Sequence, residues 1–144
     1  MRLSPPSAYI EDTGTEKGRG VFAARSLVSG EIVEVCPVIL FQIPFFSLPE
    51  QLKTLVFNWG VLAGIPNTET HALALGYGSM YNSDNPANLR YEADQQGSLL
   101  RFIAVRQIAE GEELTVNYNA VGGGAEWHDD NWFDRMKIKP VLGK

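Results

Sequence analysis

The 144-residue chain has little cysteine, no long apolar run and a deficit of positive charge. Cys36 is the only cysteine, so an intramolecular disulfide and a cysteine-rich zinc cluster are both excluded. No stretch approaches the roughly 18 consecutive apolar residues of a membrane-spanning helix. Residues 1–14 contain no apolar segment of the kind that directs secretion. We therefore expect an intracellular protein without a membrane partner.

Acidic residues outnumber basic residues, 17 to 12, which gives a formal net charge of −5. Such a chain is a poor general binder of nucleic acid and suits a basic partner, such as a peptide rich in Lys and Arg. The apolar (44%) and charged (20%) fractions are ordinary for a globular protein, which excludes a disordered chain. The length predicts a single domain over residues 1–144.

The 14 glycines and 8 prolines indicate many turns, so the predicted class is mostly β (β-rich α+β). Residues 1–8 are predicted to be an extended arm before a core of about residues 9–135. Strands are predicted at residues 9–10, 21–24, 31–41, 99–105 and 113–119. Pro37 favours an edge position or a break within the longest of them. Residues 72–81 are expected to form short extended pieces, residues 82–88 a loop, and no fixed-period repeat is visible.

One helix is predicted, beginning near Ser47 and ending near Gly60. Ser47 is a suitable N-cap, and the next residues place apolar side chains at helical spacing. These side chains are Leu52, Leu55, Val56 and Trp59.

Taken singly, the polar motifs are weak signals. Gly18-Arg19-Gly20 lacks the further glycine of a dinucleotide fingerprint and precedes a strand, so a hairpin turn is the simpler interpretation. His128, Asp129 and Asp130 are metal ligands by type, but adjacent residues rarely converge on one ion, and we predict no metal site. Cys36 lies among apolar residues within a strand, the usual place of an inert core cysteine.

The order of the motifs is more specific. Residues 17–24 (KGRGVFAA), 27–35 (LVSGEIVEV), 81–91 (YNSDNPANLRY) and 111–118 (GEELTVNY) follow one another along nearly the whole chain. This set resembles the SET-domain protein lysine methyltransferases, and the size is similar to the minimal stand-alone members known from viruses and bacteria. Four positions depart from the family. Ser83 stands where the family has His, Asp84 where it has Ser and Ala87 where it has Pro, and Asn117 replaces an Asp.

The resemblance implies a SET-type fold of small β-sheets with knot-like C-terminal threading and one or two short helices. It places residues 82–88 against residues 113–119. It further implies methyl transfer from S-adenosylmethionine to a lysine ε-amine of a protein or basic peptide, with a histone-like tail as one candidate. The chain would then be a protein-lysine N-methyltransferase, cytoplasmic in a bacterium or with access to the nucleus in a virus or eukaryote.

The resemblance also assigns roles to individual residues. Tyr118 is the predicted catalytic residue, and Tyr77 and Tyr91 join it in lining the lysine channel. The predicted cofactor-binding residues are Lys17, Gly18, Arg19, Gly20, Asn82, Ser83 and Trp132, with Trp127 second to Trp132 as the aromatic side chain that stacks on adenine.

Two alternatives remain open at this point. The altered residues 82–84 motivate a catalytically weak SET-like binding module. A β-rich structural domain that binds no cofactor is a third, weaker hypothesis. The chain is expected to be a monomer or a homodimer.

Overall fold

The computed structural model describes residues 2–65 and 69–118. Within these residues the chain forms nine β-strands, a single-turn 3-10 helix and two α-helices of four residues each. The strands are β1 (Ala8–Asp12), β2 (Arg19–Ala23), β3 (Ile32–Gln42), β4 (Val56–Asn58), β5 (Thr70–Ala74), β6 (Asn82–Ser83), β7 (Leu89–Asp94), β8 (Leu99–Ala104) and β9 (Glu113–Val116). The helices are the 3-10 helix Phe45–Ser47, α1 (Glu50–Lys53) and α2 (Trp59–Leu62). The predicted mostly β class is confirmed.

The strands form two sheets. The first has the order β1-β2-β9-β6, and its β6–β9 pair is parallel. The second has the order β4-β5-β3-β8-β7 and is antiparallel throughout. Both sheets bury apolar side chains in one core, whose largest fully buried members are Trp59 and Phe102. β9 therefore lies between the N-terminal strands and the 82–88 segment, as predicted.

The structure reveals one internal repeat, which the sequence analysis does not predict and which is not a fixed-period array. Residues 23–33 (AARSLVSGEIV) and 104–114 (AVRQIAEGEEL) align without gaps, and we call them the first and second repeat. Each repeat follows one strand, makes a turn at a glycine and enters the next strand. The turn glycines, Gly30 and Gly111, have φ values of 86° and 85°. In each repeat the arginine pairs with the glutamate that follows the glycine, Arg25 with Glu31 and Arg106 with Glu112.

The two repeats contact each other through reciprocal hydrogen bonds. Leu27 N donates to Ile108 O at 2.9 Å, and Ile108 N returns the bond to Leu27 O at 2.9 Å. Gly30 N donates to Ala104 O at 2.7 Å, and Gly111 N donates to Ala23 O at 2.8 Å. This reciprocity gives the centre of the molecule an approximate two-fold symmetry and joins the two sheets.

The prediction of one helix between Ser47 and Gly60 is wrong. Residues 56–58 instead form β4, the edge strand beside β5, with Phe57 opposite Ala72. Phe57 is buried at 4% exposure, although the helical pattern would have turned it away from the apolar face. Burial of this aromatic ring and pairing with β5 outweigh the helical periodicity, a common tertiary override of local pattern. Pro49, not Ser47, is the N-cap of α1.

Three further expectations need correction. Pro37 does not interrupt β3 or place it at a sheet edge, because the strand runs through it, but the pairing changes there, with β8 up to Pro37 and with β5 from Val38 onward. The missing N–H therefore falls at the junction of two ladders. Residues 82–88 are not loop throughout, since Asn82–Ser83 form β6. The strand β7 was not predicted, although buried and exposed residues alternate at its start. No described helix has the length and apolarity needed to cross a membrane.

Candidate active site

The glycine loop before β2 is a tight turn. Thr13 N donates to Gly18 O at 2.8 Å, and Gly18 adopts a φ of 73° that favours glycine. At Gly20 an added Cβ would lie 2.5 Å from Glu113 Oε2 and 3.0 Å from Asn82 Nδ2. The side chains of Glu113 and Asn82 can therefore pack against this backbone only because residue 20 has no side chain.

Lys17 connects this loop to β6. Its ammonium Nζ donates to Ser83 O at 2.7 Å, and the side chain is half-buried. Burial lowers the pKa of Lys17, while the charges of Glu113 and Asp84 act in the opposite direction. The predicted cofactor residues Lys17 and Ser83 are thus brought together, with the lysine bound to a backbone carbonyl.

Asn82 is the second connection between the loop and the rest of the site. Its amide Nδ2 donates to Arg19 O at 3.1 Å and to Glu113 Oε2 at 2.8 Å. These bonds join Asn82 to the start of β2 and to β9. Ser83 follows Asn82 in β6 and is buried, and its Oγ has no hydrogen-bond partner among the residues that the structure describes.

Asn88 holds the end of the same segment against β9. Its Nδ2 donates to Glu113 O at 2.7 Å, and its Oδ1 accepts from Thr115 N at 2.8 Å. With the β6–β9 pairing of Asn82 with Thr115, these bonds confirm the predicted contact between residues 82–88 and the C-terminal strand.

An aromatic cluster lies directly beside these residues. The rings of Tyr91 and Tyr118 are 6.3 Å apart, and both contact Phe57, at 5.0 Å and 5.7 Å. Phe102 closes the cluster from β8, 5.9 Å from the ring of Tyr91. The structure therefore brings two of the three predicted channel tyrosines together and adds Phe57 and Phe102, which were not predicted.

The hydroxyl of Tyr118 is held at the junction of the two groups. It donates to Tyr81 O at 2.8 Å, one residue before Asn82. Burial raises the pKa of Tyr118, and that of Tyr91 likewise, well above the usual range of a phenol. Both phenols therefore stay neutral, so that Tyr118 can orient an amine but is a poor base.

A buried glutamate supports this junction and was missed by the sequence reasoning. Glu34 of β3 is 4% exposed and accepts from Tyr81 Oη at 2.6 Å and from Tyr77 N at 2.9 Å. Gly76 turns over the carboxylate with a φ of 71°, where a Cβ would lie 2.5 Å from Glu34 Oε2. A buried carboxylate needs hydrogen-bond partners. The signal in the sequence was Glu34 itself, a charged residue among the apolar residues of the predicted strand.

Two predicted site residues are not placed with the others. Tyr77 is half-buried beside the core, and the described part of the chain shows no ring contact between it and Tyr91 or Tyr118. Trp132 and its alternative Trp127 lie outside the described residues, as does the 128–130 segment. Within residues 2–65 and 69–118, no group of three His, Cys, Asp or Glu side chains is arranged to hold a metal ion.

Polar groups and an aromatic cluster lie side by side in this arrangement. The Lys17 cation donates to Ser83 O, and the Asn82 amide donates to Arg19 O. Among the residues that the structure describes, the buried Ser83 Oγ has no hydrogen-bond partner and is a further polar atom suited to a ligand contact. The adjoining aromatic walls suit the aliphatic stem of a lysine, and tyrosine hydroxyls suit its amine.

Comparison with known proteins agrees with this geometry. The SET domain family model matches residues 18–119. A histone-lysine N-methyltransferase of Schizosaccharomyces pombe, specific for lysine-37 of histone H3, is 28% identical in an alignment 144 residues long. The alignment covers 97% of this chain and 90% of that protein.

Solved structures share the fold at lower identity. A Plasmodium falciparum protein studied as a candidate histone methyltransferase superposes with a TM-score of 0.62 at 21% identity, over 81% of this chain and 95% of that one. Polycomb repressive complex 2 of Chaetomium thermophilum, in a form bound to S-adenosylmethionine, gives 0.61 at 20% identity, over 83% of this chain but 16% of that chain. These structures show a common fold.

Proposed function

Since the chain belongs to the SET-domain family and is a protein lysine methyltransferase, we propose that residues 17–20 and 82–83 hold S-adenosylmethionine and that Tyr118 orients the target amine. The observation that carries the proposal is the hydrogen bond from Tyr118 Oη to Tyr81 O. It places the predicted catalytic hydroxyl one residue from the predicted cofactor residues. S-adenosylmethionine supplies the methyl group, as it does throughout the family.

The aromatic cluster supplies the environment that the reaction needs. A lysine amine has a free pKa of about 10.4 and must lose its proton before it can attack a methyl group. Burial between Tyr91, Phe57 and Tyr118 disfavours the ammonium form, and the neutral phenol of Tyr118 fixes the direction of the amine lone pair. Holding the amine and the methyl group collinear at near-attack distance then lowers the activation free energy of methyl transfer by several kcal/mol.

We propose a histone-type basic tail as the substrate. The supporting observations are the chain's net charge of −5 and the histone specificity of the fission yeast relative. A nuclear location follows from such a substrate and is part of the same proposal. The viral or bacterial stand-alone origin stays a prediction.

The cofactor part is tested by thermal unfolding with and without S-adenosylmethionine. A ligand that binds only the native state must raise the midpoint. An unchanged midpoint at saturating millimolar ligand contradicts the assignment of residues 17–20 and 82–83.

The substrate part is tested by mass spectrometry of a peptide that spans lysine-37 of histone H3. The control is the same peptide with that lysine replaced by arginine. Methylation of the first peptide alone supports the proposal. Cofactor binding without methylation of any histone peptide favours the alternative, a SET-like binding module.

Ser83 is the position at which the chain departs from the family within the proposed cofactor site. A histidine there would add a neutral hydrogen bond worth about 0.5–1.5 kcal/mol, roughly 2- to 12-fold in affinity. We therefore expect Ser83→His to bind S-adenosylmethionine at least as tightly as the natural protein in paired titrations. Binding that appears only in Ser83→His indicates a degenerate natural site.

A further inference from the structure

The hydrogen bonds of Asn82 determine which end of its amide faces the proposed ligand. A side-chain amide has two N–H donors on nitrogen and one acceptor oxygen. The two acceptors around Asn82 Nδ2 are Arg19 O at 3.1 Å and Glu113 Oε2 at 2.8 Å. Both accept only, so the nitrogen must point toward them and Oδ1 is left as an acceptor directed elsewhere.

Glu113 is the side-chain acceptor of the Asn82 amide, whereas Arg19 contributes a backbone carbonyl. An ionised carboxylate offers acceptors alone, and its hydrogen bond to an amide N–H is stronger than a bond between neutral groups. The position is also tightly confined. Glu113 is opposite Phe22 in the β2–β9 ladder, and a Cβ at Gly20 would lie 2.5 Å from its Oε2. The Glu113 side chain therefore reaches Asn82 from β9, and it passes so close to residue 20 that this residue must be glycine.

We propose that Glu113 is a positioning residue that holds the Asn82 amide so that Oδ1 accepts a hydrogen bond from the ammonium group of S-adenosylmethionine. This inference rests on the proposed cofactor site. Glu113 acts through Asn82 and touches neither the reacting methyl group nor the amine.

The charges around the site agree with this assignment. Lys17, bound to Ser83 O, provides a cation beside residues 82–83, and Glu113 and Asp84 provide carboxylates that interact with it. The amino-acid end of the cofactor carries one ammonium and one carboxylate group. A site with charges of both signs is complementary to that zwitterion, and an acceptor-only Asn82 Oδ1 selects the ammonium end.

The experiment compares Glu113→Gln with the natural protein by calorimetric titration of two ligands. S-adenosylhomocysteine retains the amino-acid end, and methylthioadenosine lacks it. Glutamine has the same shape but is uncharged and can donate as well as accept, so it removes the charge-assisted bond and leaves only the 3.1 Å bond to Arg19 O, of the two described here, to orient the Asn82 amide. We expect affinity for S-adenosylhomocysteine to fall by about 10-fold, the effect of losing one charge-assisted bond. Affinity for methylthioadenosine should stay within about 2-fold of the natural value, because that ligand has no group for Asn82 to bind.

The matched control is Glu110→Gln, an exposed glutamate in the turn of the second repeat, which should change neither affinity. Equal affinities of Glu113→Gln and natural protein for S-adenosylhomocysteine overturn the inference, as does an equal loss for both ligands, which indicates a purely structural role. A natural protein that binds neither ligand overturns the proposed cofactor site itself, and the inference with it.

A double-mutant cycle separates positioning from direct attraction. If Glu113 acts through Asn82, Glu113→Gln should cost nothing further in an Asn82→Ala background. A second full loss there shows direct action on the ligand and overturns the inference. Should Glu113→Gln fail to fold, the natural protein still decides: a deaminated analogue of S-adenosylhomocysteine must bind about 10-fold more weakly, and equal binding overturns the inference.

Discussion

After its paired glutamate, the first repeat continues with Ile32, which is 53% exposed, whereas the second continues with Glu113, which bonds Asn82. Two residues later the first repeat leads to Glu34, buried under Tyr81, and the second to Thr115, bonded to Asn88. The turns themselves match in their ion pairs, glycine conformations and backbone bonds.

The two repeats share one turn structure, but the strands that follow them differ in role. The strand after the first repeat provides support, since Glu34 holds the turn that ends at Tyr81. The strand after the second repeat carries Glu113 and leads to Tyr118, both of which belong to the proposed site. Substitutions in corresponding places should therefore affect stability after the first repeat and function after the second.

The largest contrast is expected from two Tyr→Phe variants, at Tyr118, whose hydroxyl donates to the backbone O of Tyr81, and at Tyr81, whose hydroxyl donates to Glu34. Tyr118→Phe deletes the hydroxyl that is proposed to orient the amine, and the methylation rate should fall by about 10-fold or more with cofactor affinity little changed. Single-turnover assays and titrations measure the two quantities. Natural turnover in Tyr118→Phe would make this tyrosine a purely structural residue.

Tyr81→Phe should affect stability. It removes the hydroxyl that donates to buried Glu34 and leaves a carboxylate oxygen without that partner. Stranding part of a buried acid costs about 1–3 kcal/mol, so the denaturation midpoint should fall by a corresponding amount. Tyr9→Phe is the control, because Tyr9 is exposed on β1. Equal stability of Tyr81→Phe and Tyr9→Phe would show that Glu34 does not depend on the phenol.

The Gly30→Ala and Gly111→Ala variants test whether the glycine turns of the two repeats are equivalent. Neither position has an atom within 4 Å of an added Cβ, so only the left-handed backbone conformation is penalised. The free energy of unfolding of each variant should fall by about 1–2 kcal/mol, and the two decreases should be nearly equal. Chemical denaturation of both proteins in one buffer is the measurement. Decreases that differ from each other by more than about 1 kcal/mol would contradict the equivalence of the two repeats.

The smallest effect concerns the exposed ion pairs. The Arg106 hydrogen bond lowers the pKa of Glu112, and the Arg25 bond lowers that of Glu31. A carboxyl with a lowered folded pKa stabilises the protein above its ordinary value of about 4.3, and this contribution disappears as the pH falls through the folded pKa.

Glu112→Gln should therefore cost less than about 1 kcal/mol at pH 7, since the pair is partly exposed, and its difference from natural protein should shrink toward pH 3. Glu31→Gln should show the same trend with a smaller amplitude, because Glu31 has no counterpart to the Asn88 contact of Glu112. Denaturant midpoints across this pH range provide the comparison. A difference that grows on acidification would reverse the sign and refute the assignment.

Much of the site was predictable because its residues lie in short motifs that keep their order. Lys17 bonds Ser83 although 66 residues separate them in sequence, and the resemblance placed Lys17, Asn82 and Ser83 in one site. What the motifs did not reveal was which side chains bind one another. Glu113 and Glu34 stood inside recognised motifs, but a letter in a motif does not show that its carboxylate accepts from Asn82 or Tyr81.

The failures in the fold have a common physical origin. Phe57 follows the helical pattern of its neighbours poorly, yet the value of burying it against Tyr91 appears only when β5 and β7 are in place. The repeat was invisible for a related reason. Leu27 and Ile108 are different letters in equivalent, fully buried positions, and their equivalence is expressed in reciprocal backbone bonds.

The single cysteine gives the molecule a built-in reporter of its own opening. Cys36 is fully buried, and a Cβ at Gly78 would lie 2.8 Å from its sulfur. Burial and the nearby Glu34 raise the pKa of its thiol, so the reactive thiolate is scarce in the native state. Alkylation should therefore proceed only through unfolding events that separate β3 from the turn at Gly78. The labelling rate of one atom then measures how often the central strand is released, without any engineered probe.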